Sequence, residues 1–259
     1  MALEMKRVTT EDAKPPRRLI MRAGGLEKNG KTHFGFTAPG PLAIFLLDKG
    51  SHEGVIDKFI GSKEISVVPL TAVKSTVMND VDQDEVKRAN EKLWQDFLRL
   101  YYKVITGNEY RSIIIDTETQ LYEIVRLAKF GKLTQVKSHH YTLVNDEYRA
   151  FVDEAFNQDK NVIFLDKMRK QYVAKEGKDE GQWNGKHEDA GWGDIGYRVM
   201  MNLRVGVDTE GDNFVEVVNC RANTELRGRK FYASEGEADF AHVAAEVYPD
   251  FYDITDWLV

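Results

Sequence analysis

The sequence predicts an α/β fold in which a mostly parallel sheet is flanked by helices. Short apolar runs that end near a polar side chain alternate with segments of helical periodicity, as in chains whose helices connect parallel strands. These runs are RLIMRA at 18–23, LAIFLLD at 42–48, RSIIID at 111–116 and NVIFLD at 161–166. The near-continuous apolar character of the last two suits strands covered on both faces of a sheet.

Three segments carry the three- and four-residue apolar spacing of helices. The clearest extends from Asp82 to Val104, and the others cover residues 119–129 and 146–157. A shorter helix is expected from Lys31, because Pro39-Gly40-Pro41 would end it within about two turns.

The last third of the chain differs from the rest, since residues 197–207 and 213–220 read as paired strands around the turn at 209–212. We expect this C-terminal β-hairpin to extend one edge of the sheet. No internal repeat and no Ser/Gly-rich linker is evident. The sequence therefore predicts one domain over residues 18–235, with a polar N-terminal extension at 1–17 and a helix and tail at 236–259.

Composition excludes several classes of protein. The chain has 259 residues, of which 42% are hydrophobic and 30% charged, so it is globular rather than disordered. The longest apolar run, Leu42–Leu47, is far shorter than the roughly 20 residues that cross a bilayer. We expect no membrane partner and, with no signal-like N-terminus and Cys220 as the single cysteine, a reducing cytoplasm. The net charge of -6 means that basic contacts with nucleic acid would be local.

Residues 25–32 read GLEKNGKT and match GxxxxGK[ST], the phosphate-binding loop. The match has the required context, because a predicted strand precedes it and a predicted helix follows. In such a loop backbone N–H groups face the phosphates, the lysine (Lys31) reaches the β and γ phosphates, and the hydroxyl (Thr32) binds Mg²⁺. The predicted nucleotide-binding residues are Gly25, Leu26, Glu27, Lys28, Asn29, Gly30, Lys31, Thr32 and His33.

An acid at the end of a buried strand completes the Mg²⁺ site of such proteins, and Asp116 after Ile113-Ile114-Ile115 is that acid here. Hydrolysis also requires a group that orients the attacking water. The candidates are Glu118, Glu53 and Asp48, and the sequence leaves the choice among them open. Lys167, at the tip of another predicted strand, is a candidate for sensing the γ-phosphate.

The order of these segments resembles the RecA-like P-loop NTPase core, and more narrowly the phage-encoded P-loop ATP-binding proteins related to Sak-type single-strand annealing recombinases. The resemblance covers roughly Arg18 to Tyr232 and depends on GLEKNGKT at 25–32, LLDKG at 46–50, IIIDTETQLYE at 113–123 and NVIFLDKMR at 161–169. RecA-like recombinases usually place a catalytic glutamate after the second strand. This chain instead has Asp48-Lys49-Gly50, with Glu53 several residues further on.

The resemblance implies ATP and Mg²⁺ as cofactors, with Lys31 and Thr32 at the nucleotide and Asp116 as the second metal-site acid. It also implies ATP-dependent work on single-stranded DNA during phage homologous recombination in the cytoplasm of a bacterial host. Assembly into a ring or filament of identical subunits, and contact with a single-stranded DNA-binding protein, are further expectations.

Two segments are candidates for DNA contact, because in RecA-like proteins the loops after the later strands face DNA. Residues 124–145 hold several basic side chains and no acid, and Met168–Lys186 forms a second, mixed-charge loop. Basic groups interleaved with aromatic rings suit a groove that follows a single strand. The predicted DNA-binding residues are Arg126, Lys129, Lys132, Lys137, Arg169 and Lys170, whereas Trp183 is expected to pack inside the protein.

Two other functions remain open from the sequence alone. A small-molecule kinase would bind its acceptor where we place DNA, and residues 167–170 resemble part of the basic lid that such kinases carry. A non-catalytic, nucleotide-controlled interaction module in phage replication or packaging is the other alternative.

Overall fold

The computed structural model describes residues 14–75, 81–134, 136–175 and 178–258. Of the predicted N-terminal extension, residues 1–13 lie outside the described residues. Within the described ranges, no helix combines the length and the apolar character needed to cross a bilayer. The predicted domain boundaries stay a prediction.

A single mixed sheet organises the fold and confirms the predicted α/β class. Its strands are β1 (Ile20–Gly25), β2 (Leu42–Leu46), β3 (Ile65–Pro69), β4 (Ser112–Asp116), β5 (Asn161–Lys175), β6 (Lys178–Asp189), β7 (Met201–Val207), β8 (Asn213–Cys220) and β9 (Lys230–Tyr232). Their order is β3-β2-β4-β5-β1-β7-β8-β9, and β6 pairs with β5 outside this path. The strands from β3 to β7 along this path are parallel, whereas β8 and β9 are antiparallel to their neighbours. The predicted C-terminal hairpin therefore extends the sheet.

Helices cover the parallel part of the sheet. They are α1 (Lys31–Phe36), α2 (Gln83–Thr106), α3 (Glu118–Phe130), α4 (Tyr141–Glu154), α5 (Ile195–Arg198) and α6 (Phe240–Ala245). The helices α2, α3 and α4 bury their apolar residues in one core, and α1 and α6 bury theirs in a second core. The predicted helices are confirmed, although α4 begins five residues before and ends three residues before the predicted bounds of 146–157.

The longest helix, α2, shows how the sequence produces this packing. Asp82 caps it by accepting the backbone N–H groups of Asp84 and Glu85 at 2.7 and 2.9 Å, which satisfies donors that have no partner inside the helix. Its apolar stripe packs on the sheet, where the rings of Phe97 and Phe45 lie 5.0 Å apart in an edge-to-face arrangement.

The expected polar loop at Met168–Lys186 is wrong, because β5 continues beyond the sheet and returns as the antiparallel strand β6. We call residues 167–189 the arm, which the structure describes at 167–175 and 178–189. Cross-strand contacts join its strands, including Arg169 Nε to Glu188 Oε1 at 2.9 Å and Lys170 Nζ at 4.9 Å from the centre of the Trp183 ring. Such cross-strand contacts stabilise a strand pair whose mostly polar residues do not show the apolar alternation of a half-buried strand.

The edge strand β3 was not predicted either. Its five residues, ISVVP, are mostly half-buried and lack the continuous apolar run of β2 and β4. Pairing with β2 defines it as a strand.

Candidate nucleotide-binding site

The loop between β1 and α1 has the backbone geometry of an anion-binding turn. Gly30 adopts a φ of +85°, in the left-handed region that favours glycine. Gly25 runs so close to the Val205 carbonyl that a β-carbon there would overlap it. Because α1 begins at Lys31, the first N–H groups of the helix have no partner within it and are available to an anion.

The side chain of Lys31 folds back over this loop, and its Nζ donates to the Leu26 carbonyl at 2.6 Å. Burial lowers the pKa of Lys31, and the nearby carboxylate of Asp116 partly offsets that effect. A cation that has already lost part of its hydration interacts strongly with a phosphate.

Asp116 lies beside the start of α1, where its carboxylate accepts hydrogen bonds from two hydroxyls. The Thr32 hydroxyl donates to Asp116 Oδ2 at 2.9 Å, and the Ser51 hydroxyl donates to the same oxygen at 2.9 Å. Burial raises the pKa of Asp116, and the bonds from Ser51 and Thr32 oppose this rise. The sequence predicted Thr32 and Asp116 at one site but missed Ser51, which follows β2 with no motif to mark it.

A cavity of about 640 Å³ opens over these groups. Carboxyl ends of parallel strands and the loops after them form one edge of a sheet, which is where open α/β folds bind ligands. The cavity is lined by Gly25, residues 27–33, residues 48–51, Glu53, Val55, Asp116, Thr117, Lys167 and Met168. The predicted loop residues therefore line it, except for Leu26, whose carbonyl holds Lys31.

Asp48 and Glu53, from the loop after β2, and Lys167, from β5, meet at this cavity. Lys167 Nζ forms an ion pair with Asp48 Oδ2 at 3.0 Å, and both side chains are more than one third exposed. Glu53 is exposed in the loop after β2. Asp48 and Glu53 thus stay candidates for orienting water.

Glu118 does not reach the cavity, although the sequence made it a candidate beside Asp116. Its side chain is fully buried, and its carboxylate accepts the backbone N–H of Trp192 at 3.2 and 3.3 Å. Burial and the neighbouring Asp166 hold the pKa of Glu118 well above its usual range. A carboxyl group closed off from solvent and outside the cavity lining cannot orient a water molecule in this cavity, so the prediction of that role for Glu118 is wrong.

Of the four predicted DNA-binding residues between 126 and 137, the two that lie in α3, Arg126 and Lys129, have partners within the protein. Arg126 donates to the Leu133 carbonyl at 2.5 Å and to the Tyr141 hydroxyl at 3.0 Å, and Lys129 pairs with Glu147 at 2.6 Å. Lys137 is exposed and Lys132 is half-buried.

The arm presents a different surface. Tyr172 and Trp183 face each other across its two strands and are 60% and 43% exposed. The Lys170 ammonium lies over the Trp183 ring, and His187 meets the same ring with centroids 6.0 Å apart. The expectation that Trp183 packs inside the protein is therefore wrong, because the surrounding strand pair extends beyond the core.

The loop geometry, the Thr32–Asp116 pair and the sheet order together define a P-loop nucleotide-binding protein. Its donor set fits a nucleotide with Mg²⁺, since it combines free helix N–H groups, a lysine, a hydroxyl and a buried carboxylate. A family model described as AAA domain matches residues 19–213. The chain belongs to this family of P-loop NTPases. No curated protein was found to match the chain.

Glu53→Gln is expected to lower ATP turnover by roughly 10²–10⁴-fold, the usual contribution of a general base, while the affinity for ATP changes little. Steady-state hydrolysis and equilibrium nucleotide binding measure the two quantities separately. Asp57→Asn is the matched control, because Asp57 is an exposed acid in the 3₁₀ helix Ile56–Lys58, outside the cavity lining. Equal ATP turnover in both variants would indicate that Asp48, and not Glu53, orients the attacking water.

Proposed function

We propose that this protein is a Mg²⁺-dependent ATPase in which the nucleotide controls binding or annealing of single-stranded DNA during phage homologous recombination. The observation that supports the proposal most directly is the position of the arm. Its first residues, Lys167 and Met168, line the nucleotide cavity, and its aromatic and basic face lies further along the same strands.

The chemistry of the arm supports single-stranded DNA as its ligand. Aromatic rings stack on bases of any sequence, and lysine and arginine neutralise phosphates. Tyr172 and Trp183 supply exposed rings, and Lys170 supplies a positive charge over the Trp183 ring, whereas Arg169 is paired with Glu188. Arg126 and Lys129 have partners in the protein, as Arg169 has in Glu188, so the preference for the arm rests on its exposed rings and on Lys170.

The residues at the cavity have distinct roles in this proposal. Bound ATP with Mg²⁺ would supply the phosphoanhydride bond that is cleaved. Lys31 and the N–H groups of the loop bind phosphate oxygens, Thr32 and Asp116 hold the metal side, and Glu53 or Asp48 orients water. Lys167 pairs with Asp48 at 3.0 Å and stands at the first position of the arm, so a phosphate that competes for Lys167 would alter the start of the arm.

Trp183→Ala is expected to weaken single-stranded DNA binding by roughly 5- to 150-fold, since stacking on an aromatic ring contributes about 1–3 kcal/mol per base. Fluorescence anisotropy of a labelled oligonucleotide, with and without ATP and Mg²⁺, measures the effect. Tyr102→Ala is the control, because Tyr102 is 40% exposed on α2, away from the arm. A wild-type protein whose DNA affinity does not depend on ATP would contradict the proposed function.

The predicted contribution of the basic residues in α3 and in the loop after it can be measured in the same assay. Joint replacement of Lys129, Lys132 and Lys137 by alanine would reduce the salt dependence of DNA binding if these residues contact phosphates. An unchanged slope would leave the arm as the DNA surface. Assembly into a ring or filament, and contact with a single-stranded DNA-binding protein, remain parts of the proposal that sedimentation with DNA would test.

A small-molecule kinase is the second candidate, and one cavity favours it. A pocket of about 270 Å³ shares Asp48 and Lys49 with the nucleotide cavity and extends between the end of β3 and α3. A phosphate acceptor in this pocket would lie beside the nucleotide. Consumption of ATP that yields a phosphorylated small molecule and no inorganic phosphate would favour the kinase, whereas phosphate release stimulated by DNA would favour the recombination protein.

A further inference from the structure

A buried ion-pair cluster joins the P-loop strand to the arm. Arg22, on β1, is 8% exposed and lies three residues before Gly25. Its Nε and Nη2 both lie 2.9 Å from Oδ2 of the fully buried Asp166 on β5. The same Nη2 lies 2.5 Å from Oδ2 of Asp189, the last residue of β6.

The carboxylate of Asp189 also fits closely against β1. A β-carbon on Gly24 would lie 2.8 Å from Asp189 Oδ1, so a glycine leaves the space that this carboxylate occupies. Asp189 is therefore fixed both by its charge and by its contact with the strand that leads into the phosphate-binding loop.

The chain just after the arm is held by a second carboxylate. Glu118 accepts the N–H of Trp192, and a β-carbon on Gly191 would overlap the Glu118 carboxylate. Thr119 connects Asp166 to the arm, because its hydroxyl donates to Asp166 and accepts the N–H of Lys167 at 3.0 Å. Glu118, without a place at the cavity, thus packs against the segment that returns from the arm.

Both strands of the arm are consequently attached at the end of β1. In the parallel pairing of β1 with β5, Gly25 is the partner of Lys167, the first residue of the arm. The returning strand is attached through Asp189 to Arg22. Any displacement of the phosphate-binding loop along β1 therefore acts on both strands of the arm.

We propose that Arg22, Asp166 and Asp189 form a clamp that fixes the arm to the P-loop strand, and that this clamp transmits the nucleotide state to the arm. Arg22 and Asp189 are positioning residues in this scheme, since neither is part of the lining of the nucleotide cavity. The clamp adds a means of regulation to the proposed function. It rests on that function only where DNA binding is the quantity measured.

The test compares Asp189→Asn with Glu188→Gln in the full chain by hydrogen exchange of the arm amides, with and without ATP and Mg²⁺. Glu188 is a matched control, because it is a neighbouring acid of similar side-chain exposure (37% against 43%) that pairs with Arg169 inside the arm and not with β1. In Asp189→Asn we expect exchange in the arm to rise roughly 3- to 10-fold, the range for losing a half-exposed ion pair to a buried partner. We also expect the nucleotide-induced change in arm exchange to disappear, while ATP affinity stays within about twofold.

Asp189→Glu keeps the negative charge and lengthens the side chain, so it tests whether the charge alone couples the arm to β1. An arm exchange rate that depends on ATP in this variant would support the clamp. Arm exchange that matches the Glu188→Gln control, or a wild-type arm that does not respond to ATP, would overturn it. Thermal unfolding of each variant tests whether the fold is retained. Hydrogen exchange needs no DNA, so a wild-type protein that responds to ATP without binding DNA would refute the proposed function and leave the clamp standing.

Discussion

Lys31→Ala is expected to weaken ATP binding by roughly 100-fold, which corresponds to about 3 kcal/mol for the loss of a partly desolvated cation that contacts phosphate. Lys31 follows the left-handed Gly30 at the start of α1, and its ammonium lies over the loop on the Leu26 carbonyl. In that position it reaches any anion that the loop N–H groups bind. Isothermal titration of the protein with ATP and Mg²⁺ measures the change.

Lys58→Ala is the matched control for this experiment. Lys58 is an exposed lysine at the end of the 3₁₀ helix Ile56–Lys58, outside the cavity lining. Alanine there also removes one positive charge from the surface of the same part of the protein. We expect a change of less than about threefold, because an exposed charge in water interacts weakly. Equal losses in the two variants would refute a specific role for Lys31.

Asp116→Asn is expected to reduce Mg²⁺-dependent ATP turnover by at least about 100-fold, because a metal ion at the phosphates contributes several kcal/mol to stabilising the transition state. The amide has nearly the same shape as the carboxylate and can still accept a hydrogen bond from Thr32 or Ser51, so the fold is expected to persist. Turnover measured across Mg²⁺ concentrations should show a weaker metal dependence. Nucleotide affinity without Mg²⁺ should stay the same or increase, because one negative charge beside the phosphates is removed.

Ser51→Ala separates the metal role of Asp116 from its role in packing. This variant removes one of the two hydroxyls that bond Asp116 and keeps the carboxylate. The loss of one hydrogen bond to a charged group is worth about 1.5–3 kcal/mol, so a smaller fall in turnover with an unchanged Mg²⁺ dependence is expected. Unchanged turnover in Asp116→Asn would place the metal site elsewhere.

The site shows which functional residues local patterns reveal. The phosphate-binding loop was found because its glycines, lysine and hydroxyl are consecutive, and Asp116 because it ends a continuous apolar strand. Ser51 has no such pattern, and its position is defined by its bond to Asp116, 65 residues away along the chain. Glu118 illustrates the opposite case, since its closeness to Asp116 in sequence suggested catalysis but the start of α3 directs its side chain into the core.

The arm shows a similar limit to what local sequence patterns predict. Its residues are mostly polar and include several glycines, so composition alone indicated a loop, and Trp183 was assigned to the interior. Its strands are defined by their pairing with each other, and its attachment by contacts of Asp189 with Arg22, 167 positions earlier, and of Trp192 with Glu118. Contacts over such separations leave no mark on local periodicity.

The sequence by itself determined the α/β class, the parallel core strands, the long helix α2 and the phosphate-binding loop, because hydrophobic periodicity and consecutive motif residues are local properties. Only the tertiary structure decided that Ser51 joins Thr32 at Asp116 and that Glu118 faces the segment after the arm and not the nucleotide cavity. It also decided that the polar stretch at 167–189 is a pair of strands with exposed rings. The physical reason is that side-chain burial and strand pairing depend on which distant segments meet, and the sheet order β4-β5-β1-β7 brings those segments together.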